Sequence, residues 1–252
     1  MTFAVAAEAY DRFMGRYSVG LAPQLAALAG VRPGQRVLDV GCGPGALTTE
    51  LVRLLGPAEV AAVDPSESFV AAARERHPGV TVEQAAAEEL PFADDEFDAA
   101  LAQLVVHFMT DPGAGLRELA RVTRGGGVVA ACVWDHGGGA GPLSTFWDAA
   151  RELDAEVHDE SNLPGARAGH LTELFTTAGL REIEETSLEV STEHPSFEDW
   201  WEPYTFGVGP AGAFVAGLDP ERQAELRDLC RERLPEAPFV LTASAWAARG
   251  LV

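Results

Sequence analysis

Gln35-Arg36-Val37-Leu38-Asp39-Val40-Gly41-Cys42-Gly43-Pro44-Gly45 is the stretch that decides the fold of this chain. Val37, Leu38 and Val40 form a short apolar run with one acid, Asp39, inside it, as in a buried parallel strand. Glycines then alternate at 41, 43 and 45, and Leu47, Leu51, Leu54 and Leu55 recur at helical spacing until Gly56 stops the helix. Strand, glycine turn and helix make the opening unit of a nucleotide-binding α/β fold. Glycine is needed where the backbone turns sharply and a ligand must approach closer than a Cβ allows. The helix N-terminus beyond the turn presents unpaired N–H groups that suit a carboxylate or phosphate.

A second apolar run, Glu59-Val60-Ala61-Ala62-Val63, ends in Asp64, 23 positions after Gly41. An acid at that distance, at the tip of the next strand, is placed to accept from both hydroxyls of a ribose. The competing reading is that Asp64 only caps the helix beginning near Ser66. Further strands are expected at Val80-Thr81-Val82, from Phe97 to Gln103, and from Val128 to Trp134. Asp111-Pro112 starts a helix carrying Leu116, Leu119 and Val122, and Arg124-Gly125-Gly126-Gly127 is expected to end it. Helices follow around Phe146 to Leu153 and Leu171 to Ala178, then a strand from Leu180 to Val190 and a last, antiparallel one from Phe239 to Ala248.

The expected fold is α/β: a doubly wound, mostly parallel seven-stranded sheet with an antiparallel last strand and a helical lid insertion. Residues 1–33 read as two helices capping the site. Residues 34–191 and 237–252 form the core, and 192–236 the lid. Within that insertion, Trp200, Trp201 and Tyr204 crowd together. With Trp134 at the end of the fifth strand, they are candidates for lining a pocket for an apolar or aromatic small molecule.

Five ordered blocks carry a family resemblance: Val37 to Gly45, Asp64-Pro65-Ser66, Glu88-Glu89-Leu90-Pro91-Phe92, Phe97-Asp98, and Arg117-Glu118-Leu119-Ala120-Arg121-Val122. Through them the chain resembles the class I S-adenosylmethionine-dependent methyltransferases, in particular their small-molecule type 11 branch, with a Rossmann-like core. The resemblance implies S-adenosylmethionine as cofactor and S-adenosylhomocysteine as product. It implies that Asp39 reaches the methionine amino group, that Gly41, Cys42, Gly43 and Gly45 let the backbone approach, and that Asp64 takes the ribose hydroxyls. Pro65 would pack on the adenine, Ala87 and Glu88 would lie at its edge, and Gln103 near the methionine moiety. Ala86 stands where family members usually carry an aspartate toward the adenine amino group. Tyr10 and Arg16 match an aromatic-plus-arginine pattern that holds the methionine end. The reaction implied is in-line methyl transfer to a small molecule, with His107 the candidate base where the acceptor must lose a proton.

Composition narrows the classes. With 18 basic residues against 39 acidic ones, the net charge of −21 repels nucleic-acid phosphates and anionic membranes. The chain has no lysine, which removes a P-loop lysine, a Schiff-base lysine and a Tyr-x-x-x-Lys reductase pair. Three dispersed cysteines give no disulfide framework, no metal-ligand spacing appears, and a cytoplasmic setting is expected. No secretion signal and no uncharged run of about 20 residues is visible. The alternatives carried forward are an NAD(P)-dependent oxidoreductase and a non-catalytic S-adenosylmethionine-binding protein. Oligomeric state is open.

Overall fold

A computed structural model describes residues 7–252; the first six positions of the expected N-terminal cap lie outside the described residues. Five parallel strands, β1 (Val37–Val40), β2 (Val60–Asp64), β3 (Thr81–Gln84), β4 (Phe97–Gln103) and β5 (Thr123–Trp134), continue into β6 (Arg181–His194) and β7 (Phe239–Leu251). The order across the seven-stranded sheet is β3-β2-β1-β4-β5-β7-β6. β7 runs antiparallel to both its neighbours, with Ala131 opposite Ala248 and Thr186 opposite Ala247. β1 sits between β2 and β4, Val37 opposite both Val60 and Ala99, so the chain reverses direction across the sheet at β1. In such sheets the crevice at that reversal, beyond the strand C-termini, holds ligands.

Alternation of side chains across the pleat divides the core. Leu38, Val40, Ala61, Val63 and Ala100 face α5 (Pro112–Val122) and α7 (His170–Thr177) through Leu116, Leu119 and Phe175. Val37, Val60, Ala99 and Leu101 face Leu21 and Leu25 of α2 (Arg16–Leu28) and Leu47 and Leu51 of α3 (Ala46–Leu55). Both faces of the central strands are therefore covered, which is why they read as nearly continuous apolar runs.

Four expectations need correction. The N-terminal segment is one continuous helical run from 7 to 28: α1 (Ala7–Tyr10), a π-turn Asp11–Gly15, then α2. Gly15 alone costs only about 1 kcal/mol in a helix and does not break it; the extra residue of the π-turn is absorbed in place. The glycines at 125–127 belong to β5 itself. A Cβ on Gly127 would stand 2.7 Å from the Asp98 carbonyl oxygen, so close strand packing, not helix termination, requires it. Residues 192–194, assigned to the insertion from sequence, extend β6. Finally, between α8 (Phe197–Trp201) and α10 (Pro220–Arg233) lies a helix that the sequence pattern did not announce, α9 (Gly209–Gly217).

These three helices pack on α6 (Ser144–Leu153) and the N-terminal run through an aromatic core. Phe146 and Tyr204 stack at 4.5 Å with planes 9° apart, and Phe13 meets Tyr204 edge-on. The Arg16 guanidinium donates to both carboxylate oxygens of Asp199, at 2.7 and 3.3 Å, and to His194 Nδ1 at 3.0 Å. That network joins α2, the end of β6 and α8.

Candidate active site

The crevice is shaped by hydrogen bonds that the glycine loop makes to β2. Gly41 and Cys42 N–H groups both donate to the Val63 carbonyl, at 2.8 and 2.9 Å. Asp64, 6% exposed, accepts from Gly43 N–H with Oδ2 and from Ser66 N–H with Oδ1. The two sequence readings of Asp64 are thus compatible: its carboxylate braces the turn into α4 (Glu67–Arg76), and it lines the cleft. Burial raises its pKa, while these two N–H groups pull the other way.

Two of the glycines have different physical reasons. Gly41 has φ +71°, and a Cβ there would come within 2.4 Å of Val105 Cγ2, so the residue is fixed by packing. Gly43 has φ +54° and nothing within 4 Å of where its Cβ would be; it faces the open cleft. A side chain at 43 would occupy ligand space.

Asp39 is 1% exposed at the end of β1. Its Oδ2 accepts from Thr48 Oγ1 at 2.6 Å, and its Oδ1 has no hydrogen-bond partner among the described residues. Burial lifts its pKa to about 7 against the opposing Thr48 hydrogen bond. Gln103, at the end of β4, donates from Nε2 to the Ser18 carbonyl at 3.0 Å and leaves Oε1 without a partner among those residues. Both residues line one recess with Gly41, Cys42, Gly43 and Tyr10. Two buried acceptor oxygens left unpaired in one recess are costly in isolation and fit a cationic ammonium group. Next to that recess, Asp64, Pro65, Phe69 and Phe108 line an open cleft whose carboxylate and flat apolar faces suit a ribose and a flat ring. Tyr10 packs edge-on against Phe69 at 5.5 Å, and burial pushes its hydroxyl pKa up to about 12, so it stays neutral. These residues fit S-adenosylmethionine.

Other expected contacts are engaged elsewhere. Arg16 is held by Asp199 and His194 and lines, with Pro44, Gly45 and Ala46 of the glycine loop, a pocket beside the recess rather than the recess itself. Ala86, Ala87 and Glu88 are not among the residues lining the cleft. Ala86 is exposed, Ala87 is buried, and Glu88 Oε1 accepts from the Thr110 and Asp111 N–H groups ahead of α5. Trp200, Trp201 and Tyr204 belong to the aromatic core of the insertion. A short amphipathic insertion needs its own apolar centre, and those rings provide it.

Tyr10, Leu104 and Phe108 are shared with a second cavity. Phe13, Met14, Trp134 and Leu143 line it, and the start of α9 closes it. Of the four expected pocket aromatics, only Trp134 reaches this chamber. Besides Tyr10, its titratable groups are His107, His136 and Glu160. His107 is 4% exposed, with Nδ1 unpartnered among the described residues, and burial together with nearby His136 holds its pKa well below the usual imidazole range. The sequence does not single out Glu160: it sits in an acidic loop with no motif around it, and only the fold brings it to the chamber.

Residues 38–131 match a family model described as a methyltransferase domain. An uncharacterized protein of Mycobacterium tuberculosis is 33% identical over 172 residues, 65% of this chain and 63% of that one. Malonyl-[acyl-carrier protein] O-methyltransferase of Serratia marcescens is 32% identical over 164 residues, 63% of this chain and 62% of that protein. The chain thus spans under two thirds of the length of these curated relatives. Among solved structures, the YcgJ protein of Bacillus subtilis shares the fold at TM-score 0.58 and 19% identity, covering 93% of this chain and 97% of that one. The glycine loop, the strand order and the methyltransferase domain matched over residues 38–131 together support a class I S-adenosylmethionine-dependent methyltransferase.

Proposed function

We propose that this protein transfers a methyl group from S-adenosylmethionine to a small molecule with an apolar or aromatic body. The observation that carries the reading is the pair of oxygens without partners among the described residues, Asp39 Oδ1 and Gln103 Oε1, in a recess that adjoins a largely apolar chamber.

When bound, the cofactor supplies a methyl carbon activated by a sulfonium. Asp39 and Gln103 hold the ammonium of its methionine end, Asp64 accepts from the ribose hydroxyls, and Gly41, Gly43 and Gly45 keep the loop backbone close. Pro65, Phe69 and Phe108 pack on the adenine. Tyr10 and Leu104 stand at the junction of cleft and chamber and align the acceptor with the methyl carbon. Alignment of this kind is worth roughly 7–11 kcal/mol. His107 hydrogen-bonds the acceptor. Residues 7–33 act as a cap and 195–236 as a lid that excludes water. The net charge of −21 disfavours nucleic-acid and anionic-membrane partners. A cytoplasmic setting suits the three buried free cysteines; among the described residues no helix is long and apolar enough to cross a membrane.

Thermal shift with S-adenosylhomocysteine and with NADH tests the reading. At a hundredfold excess over Kd a ligand stabilises the fold by about 2.7 kcal/mol. A shift with S-adenosylhomocysteine only, weakened in Asp64→Ala, is expected. A larger shift with NADH would support an oxidoreductase instead.

A further inference from the structure

We propose that Glu160 receives the acceptor's proton, and that the acceptor therefore presents a neutral, acidic hydroxyl, phenolic or enolic, to the chamber. This rests on the methyltransferase reading above.

Glu160 is 4% exposed and lines the apolar chamber. Trp147 Nε1 donates to its Oε2 at 3.0 Å, which fixes the carboxylate plane. Its Oε1 stands 4.0 Å from His136 Nε2, too far for a hydrogen bond. Among the described residues His136 Nε2 and His107 Nδ1 have no hydrogen-bond partners, and the two rings lie 6.1 Å apart. A carboxylate and two imidazoles in one apolar wall, with no arginine among its described residues, make a costly arrangement for packing alone. Clusters of this kind mark working sites.

The three groups are not equivalent. Burial drives the pKa of His136 down to about 4 and that of His107 well below its usual value, so both are neutral at pH 7. Burial raises Glu160 to about 7, near the operating pH, where a proton acceptor works best. The titratable groups facing Glu160 are His136, His107 across the chamber, Asp159 beside it in the loop, and Tyr10 and Tyr204. With no cation among the described residues of the lining, a carboxylate or phosphate acceptor would be buried unpaired next to Glu160. A hydroxyl brings a proton and no charge. In the step, the hydroxyl proton passes to Glu160 Oε1 and the oxygen's electron pair forms the new O–C bond. The S–C bond breaks with its pair remaining on sulfur, leaving a neutral thioether, and Glu160 later returns the proton to water.

The test is binding, read by fluorescence and calorimetry on protein saturated with S-adenosylhomocysteine. The probes are naphthol, naphthoate and naphthylmethylamine. Naphthol, like tyrosine, ionises only near about pH 10 and stays neutral through the range used. Its affinity should rise by about tenfold as pH passes upward through 7, since a hydroxyl bonds more strongly to a carboxylate than to a carboxylic acid. Glu160→Gln, which keeps an acceptor for Trp147, should bind naphthol weakly at all pH values and keep the full thermal shift with S-adenosylhomocysteine. His107→Gln and His136→Gln should keep the pH dependence. Tighter binding of naphthoate or the amine, no naphthol binding, or an unaltered pH profile in Glu160→Gln would overturn the proposal. So would loss of the pH profile in His107→Gln. Absence of the S-adenosylhomocysteine shift in the wild type would instead remove the methyltransferase reading and this proposal with it.

Discussion

Replacing Asp39 with asparagine should stabilise the protein while weakening its cofactor site. Asp39 carries an ordinary pKa of 3.8 when unfolded and about 7 in the fold, raised by burial. The folded chain therefore holds more protons than the unfolded one between those values. Stability is highest below the lower value and is lost as pH rises through the upper one. At about 1.36 kcal/mol per tenfold change, the gap sets a ceiling of ~4 kcal/mol on the penalty above pH 7. The asparagine side chain has no such titration, keeps an oxygen to accept from Thr48, and is nearly isosteric. Urea unfolding of both proteins without ligand, from about pH 5 to about pH 8, measures the difference at constant m. The variant's advantage should grow across that range and level off above pH 7. Parallel curves for the two proteins would refute the claim that Asp39 is an uncompensated buried carboxylate.

Four further outcomes follow from the same geometry. Affinity for S-adenosylhomocysteine should fall as pH drops below about 7, because its ammonium pairs only with ionised Asp39, and calorimetry should find that dependence gone in Asp39→Asn. Gly41→Ala should lose stability in a denaturant melt by about 2 kcal/mol or more, from the left-handed backbone and the collision with Val105. Gly43→Ala should cost only about 1–2 kcal/mol of stability, yet abolish the thermal shift with S-adenosylhomocysteine, since its methyl group enters the cleft with no atom of the described residues within 4 Å. A double-mutant cycle on Arg16 and Asp199 should return a coupling of about 1 kcal/mol, diminished by salt.

What was legible in the sequence was local. Val37 to Gly45 and Asp64 are read from spacing alone because strand, turn and helix signals follow one another along the chain, and their hydrogen bonds are set by the adjacent strand. The alternation of strands and helices is legible for the same reason, β1, β2 and β4 each being followed by its own covering helix. A short aromatic-plus-arginine pattern points Arg16 toward the cofactor, while its pairing with Asp199, 183 residues away, is encoded by nothing near it in the sequence. Trp200 and Trp201 show in sequence only that the insertion is aromatic. Whether such rings line a pocket or fill a core depends on α6 and Phe13, which come from elsewhere in the chain. Glu160 is one acid among many in an acidic protein. Only its burial beside Trp147 and His136 distinguishes it, and burial of a loop residue leaves no periodic trace.

The most direct measurement is a crystal structure of the protein with S-adenosylhomocysteine. The account predicts the ligand's ammonium within hydrogen-bond distance of Asp39 Oδ1 and Gln103 Oε1, its ribose hydroxyls on Asp64, and its sulfur at the junction formed by Tyr10 and Leu104. A ligand bound with its amino acid end away from Asp39, or no ligand in the cleft at saturating concentration, would contradict it.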